Sequence, residues 1–135
     1  MWAWIAAGAM PVAWGLAHLG HGLPVRQMLP DLAWLLMLSV SEELVFRGGL
    51  QTALLRRPPL AERRCGISGA NLVTSLVFSA AHLWAHAPLH ALGVLPVSLL
   101  LGAALEQTGR LWVPTALHVW FNLALYAASA WMWVR

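Results

Sequence analysis

The sequence predicts an all-α fold, a polytopic bundle of about five transmembrane spans around a polar intramembrane cavity, and three observations carry that prediction. Of 135 residues, 60% are hydrophobic and 10% charged, against about a quarter charged in an ordinary soluble domain. The apolar residues fall into five long runs separated by short stretches rich in Pro, Gly and Arg. The charges that interrupt those runs gather in one of them, at Ser41-Glu42-Glu43-Leu44-Val45-Phe46-Arg47-Gly48-Gly49. Such a chain reads as one membrane domain over residues 1–135. Its net charge of +3 comes from eight arginines and no lysine. Four of these arginines share one loop, so the charge reports topology and excludes a nucleic-acid partner. Tryptophans near the ends of the runs, Trp2, Trp4, Trp112, Trp131 and Trp133, fit interfacial belts. Cys65 stands alone, so no disulfide framework is expected.

The elements follow in order. Residues 2–20 are long enough for a first span, with Gly8, Pro11 and Gly15 allowing a bend or close packing. No Lys or Arg precedes that run and Pro11 interrupts it, so a span is favoured over a cleaved secretory signal. His18 and His21 at its end are interfacial in this reading. The second span, 31–55, opens with Asp31 as N-cap after Pro30 and stops at Arg56-Arg57-Pro58-Pro59, where the prolines cannot continue a helix. Arg56, Arg57, Arg63 and Arg64 surround Glu62 in a polar loop, which the positive-inside rule places in the cytoplasm. The third span is 67–85. His82, His86 and His90 recur every four residues, but Pro88 breaks the helix between them. His82 is therefore read as interior and the other two as loop or interface residues, in preference to a three-histidine metal site. A fourth span, 89–105, holds Pro96 and Gly102, and the loop Glu106–Arg110 follows it with Gly109 as a natural helix stop. The fifth, 111–134, has Pro114 in its first turn and then His118, Asn122 and Tyr126 at helical spacing.

Burying an ionised side chain in hydrocarbon costs roughly 2.5 to 3.5 kcal/mol on the mildest scale, so the charges at 42–47 must face protein or a wet cavity. Glu43 and Arg47 are four apart and share a face, whereas Glu42 projects about 100° away. The pair thus reads as structural and Glu42 as chemical. Three spans contribute interior polar groups: Glu42, Glu43 and Arg47; His82; and His118 with Asn122. Peptide hydrolysis needs a base for water, a group to orient that water, and donors for the oxyanion. Glu42 suits the first role, His82 the second, and His118 with Asn122 the third. Two other classes fit buried Glu and His residues: a transporter or proton relay, and a non-catalytic immunity or scaffold protein of the same fold.

Glu-Glu-x-x-x-Arg (42–47), Phe-x-x-x-His (78–82) and His-x-x-x-Asn (118–122) occur in that order on consecutive apolar segments. The set resembles the CPBP family of intramembrane proteases, also called the CAAX-protease and bacteriocin-processing or Abi family, over residues 31–125. The resemblance implies a glutamate-dependent endopeptidase with Glu42, Glu43, His82, His118 and Asn122 as its catalytic set and Arg47 and Phe78 in support. It implies no cofactor; zinc held by Glu42, His82 and His118 is the metal-dependent alternative. The implied partners are the lipid bilayer and a membrane-associated protein or peptide substrate, and the implied location is the bacterial inner membrane, multi-pass. With one span before the motif core, the chain is similar to short members, including the myxosortase type, that process C-terminal or sorting signals.

Overall fold

The computed structural model describes residues 28–133, with side chains from 32 to 126. The expected first span, with Trp2, Trp4, His18 and His21, lies outside the described residues. Helix α1 is Met28–Glu43. It begins ahead of the predicted start, so Asp31 stands inside the first turn instead of capping it, and Pro30 is tolerated there because early N–H groups lack partners anyway. The backbone then stays helical but loosens into a π-helical segment, Leu44–Gln51, before one more α turn, α2, at Thr52–Leu55. The predicted helix over 31–55 is therefore present, though not as a uniform α-helix. Gly48 and Gly49 weaken the α preference there. At the exit the Thr52 N–H reaches the Arg47 carbonyl five residues back, and the Thr52 hydroxyl donates to the same oxygen at 2.7 Å.

The helix ends where the proline pair predicts, and Pro58 and Pro59 open a short turn, α3 (Pro58–Ala61). Two short strands follow, β1 (Arg63–Arg64) and β2 (Ile67–Ser68), paired antiparallel with Arg63 opposite Ser68 and Arg64 opposite Ile67. Cys65 and Gly66 turn between them at φ 53° and 84°. That left-handed turn explains why the third span does not start at 67. Ser68 instead caps the helix, accepting from the Asn71 N–H at 2.9 Å, and α4 is Gly69–His82.

Helix α4 also stops earlier than residue 85. Ala87 is extended ahead of Pro88, as the residue before proline prefers, and Pro88 opens α5, Pro88–Thr108, which closes on left-handed Gly109. This helix outruns the expected 89–105 and takes Glu106 out of the loop assigned to it. Last comes α6, Trp112–Trp133, with Pro114 in its first turn. Among the described residues, α5 alone is long and apolar enough to cross a membrane as a single regular helix.

The described residues fall into two compact units, one of Ser41–Thr115 and the other of 28–40 with 116–133. In the first unit α4 packs along α5, and both meet the π segment. Its interior is polar as much as apolar. Asn71, Thr74, Ser75 and Ser79 on α4 are buried, while Leu72, Val73, Leu76 and Val77 on the opposite face are 38–50% exposed. Water would invert that partition; hydrocarbon asks for it, because it solvates leucine and valine and leaves polar groups to find partners inside. Gly102 lets the helices approach closely: a Cβ there would sit 2.0 Å from the Asn71 Oδ1.

Candidate active site

Glu43 and Arg47, four residues apart across the junction of α1 and the π segment, form the expected ion pair. Arg47 Nη1 lies 3.2 Å from Glu43 Oε1, and both side chains are fully buried. A charge so placed must be satisfied from several sides. Arg47 Nη2 donates to the Ser98 carbonyl at 3.0 Å and the Ser98 hydroxyl at 2.7 Å, and the guanidinium lies over the Phe78 ring, 4.6 Å from its centroid. One arginine thus joins the π segment to α4 and α5. Phe46 meets Phe78 edge-on, with centroids 4.9 Å apart. Arg47 thus makes an ion pair, and Phe78 is an aromatic platform beneath it. Glu42, the preceding residue, is half-buried.

His82, the last residue of α4, sits against the same platform, its ring centroid 4.6 Å from that of Phe78. Its Nδ1 lies 2.9 Å from the Phe78 carbonyl. A carbonyl only accepts, so Nδ1 carries the hydrogen, and in the neutral ring Nε2 presents a lone pair. Such a nitrogen can accept a hydrogen bond from water, as the water-orienting role requires. His86 and His90 come to it in spite of the helix break. The ring centroids are 5.9 Å apart for His82 and His86, 6.2 Å for His82 and His90, and 4.4 Å for His86 and His90, at 24–29° between planes. Lone pairs lie in the ring planes, and near-parallel stacked rings cannot aim them at one point. As stacked, the three do not form a metal site.

His118 and Asn122 belong to the other unit, one turn apart on α6. His118 is buried and Asn122 half-buried. The Asn122 carboxamide donates through Nδ2 to Ser39 Oγ at 2.7 Å, and Ser39, on α1, is fully buried.

Several interior polar residues carry no weight in the sequence motifs. Ser98 and Ser39 touch Arg47 and Asn122 directly. Glu106, near the end of α5, gathers a second network at one end of the first unit: Ser68 Oγ donates to it at 2.5 Å, Gln51 Nε2 at 2.9 Å and Arg63 Nε at 3.1 Å. Its carboxylate is almost fully buried although Arg63 is half exposed. Gln51 also donates to the Gly102 carbonyl, and Asn71 donates to the Leu99 carbonyl, each spanning two helices. The signal that could have found these residues is simple. A Ser, Asn or Gln inside an apolar span has no solvent to turn to, so it marks the protein-facing side of its helix.

A family model described as type II CAAX prenyl endopeptidase, Rce1-like, matches residues 24–124. The chain belongs to the Rce1-like family. No curated protein and no solved structure matches it significantly. The matched stretch takes in all three motifs, and with them Glu42, Glu43, Arg47, Phe78, His82, His118 and Asn122. Rce1-like proteins are membrane-embedded proteases, which accords with the lipid-adapted distribution of side chains on α4 and with the apolar length of α5. At that level the chain is a membrane peptidase.

Proposed function

We propose that this Rce1-like chain is a glutamate-dependent intramembrane endopeptidase in which Glu42 activates water. Glu42 takes a proton from the water, whose oxygen attacks the scissile carbonyl carbon. His82 Nε2 orients that water. The oxyanion receives hydrogen bonds from His118 and Asn122, the C–N bond breaks, and the proton held by Glu42 passes to the leaving amine. The reading takes the chain as a bundle of about five spans with a polar intramembrane cavity, the Arg56–Arg64 loop in the cytoplasm and the chain in a bacterial inner membrane. The substrate in this reading is of the C-terminal or sorting-signal type, as for a myxosortase-like member.

The observation that carries this reading is the fully buried Glu43–Arg47 pair. It makes Glu43 a fixed counter-ion; this reading assigns the chemistry to Glu42, a division of adjacent carboxylates that acid–base enzymes use. A proton relay asks the opposite, that successive groups each change charge, and a carboxylate locked to an arginine is poorly suited to that.

The test uses the purified chain in a lipid bilayer and an internally quenched peptide ending in Cys-aliphatic-aliphatic-Xaa, farnesylated and unmodified, in ¹⁸O-water. The reading expects cleavage with one ¹⁸O in the new C-terminal carboxylate, and activity that survives exhaustive chelation. Activity lost on chelation and restored by zinc would reassign Glu42, His82 and His118 as ligands. Proton flux across the bilayer with no cleavage would favour the relay.

A further inference from the structure

Asn122 is oriented by a residue outside all three motifs. Its Nδ2 donates to Ser39 Oγ at 2.7 Å, and Ser39 Oγ donates in turn to the Leu35 carbonyl at 2.7 Å. A hydroxyl has one proton, and a carbonyl can only accept. With that proton committed to Leu35, the oxygen of Ser39 turns a lone pair to Asn122, and only the NH₂ end of the carboxamide can answer it. Ser39 is fully buried, so no water competes for the position. We propose that Ser39 is a positioning residue: it selects the orientation of the Asn122 carboxamide that keeps the second N–H as a donor.

The alternative orientation would matter chemically. A flipped amide exchanges the places of Oδ1 and Nδ2, and an acceptor directed at a developing oxyanion repels the charge that a donor would stabilise. Ser39 also lies three residues before Glu42 on α1, on the same helical face. One helix therefore bears both the proposed base and the group that orients the proposed donor. This inference rests on the oxyanion role proposed for Asn122.

Asn71 and Asn122 are the chain's only asparagines, which makes the test direct. The full chain labelled with ¹⁵N-asparagine in detergent micelles gives two side-chain amide pairs, and Asn71, bonded to the Leu99 carbonyl, is the internal control. Ser39→Ala removes the acceptor, and Ser39→Cys keeps the volume while replacing oxygen by a weak sulfur acceptor. Both should shift the Asn122 pair and leave the Asn71 pair in place. On the quenched peptide both should lower kcat about 10-fold or more, as misplacement of a catalytic group does, with KM nearly constant. A mere staple between helices would instead lower the yield of folded protein and leave kcat of the folded fraction unchanged. An unmoved Asn122 pair, or wild-type kcat beside a shifted pair, overturns the inference. Glu42→Gln serves as the control: if it too retains full turnover, the proposed function fails, whereas an inactive Glu42→Gln beside fully active Ser39 variants defeats the positioning role alone.

Discussion

Replacing Arg47 with methionine should be the most damaging single change in the first unit, and the structure indicates which contact is responsible. The substitution removes the donors to Ser98, the contact with Phe78 and the ion pair with Glu43. Hydrogen bonds between helices in a membrane are worth about 0.6 kcal/mol on average and rarely exceed about 1.7. A desolvated cation–π contact contributes about 2 kcal/mol. Removing one partner of a buried ion pair costs about 3–5 kcal/mol, because the other charge is left behind. These terms are not additive, but the last is the largest, and it has a signature the others lack. Changing Glu43 to glutamine in the same molecule removes the stranded charge, so Glu43→Gln/Arg47→Met should recover about 2 kcal/mol or more relative to Arg47→Met alone. Reversible unfolding in mixed micelles, followed by tryptophan fluorescence, measures both. A double variant no more stable than the single one would refute the reasoning and assign the loss to Ser98 and Phe78.

Other outcomes follow from the same contacts. Gly102→Ala places a methyl 2.0 Å from the Asn71 Oδ1 and should destabilise by about 1–3 kcal/mol in the same unfolding assay; Asn71→Ala in the same chain should restore part of that loss. Glu106→Ala strips the acceptor from Ser68, Gln51 and Arg63, so amide hydrogen exchange should accelerate across residues 63–68 while the centre of α5 keeps its protection. Asn122→Ala should lower kcat on the quenched peptide by about 10² to 10³ with KM nearly unchanged, as loss of one oxyanion donor does.

The sequence made some features legible because a single residue decides them. Pro58-Pro59 ends the second helix, Pro88 separates His82 from the next helix, and Gly109 closes α5, each through a local backbone constraint. The Glu43–Arg47 pair was equally legible, since spacing and the cost of an unpaired buried charge leave few other arrangements. What escaped depends on partners distant in the chain. Residues 67–68 read as part of an apolar helix, yet the left-handed turn at Cys65 and Gly66 pairs them with Arg63 and Arg64. Glu106 read as a loop residue because its partners, Gln51, Ser68 and Arg63, are 38 to 55 positions away. The π segment was hidden for a different reason: a stretch as short as Leu44–Gln51 holds too few apolar positions for periodicity to separate π from α. Ser39 and Ser98 are small residues with no charge to draw attention. Their importance shows only when the groups they hold, Asn122 and Arg47, are seen beside them.

The central claim is that Glu42 carries the chemistry while Glu43 holds the fold, and one comparison tests it most directly: the single-turnover rate of quenched-peptide cleavage by Glu42→Gln, measured on protein whose unfolding midpoint matches the wild type. The account predicts a folded protein with no detectable cleavage above the uncatalysed rate. Cleavage by Glu42→Gln at the wild-type rate would contradict it.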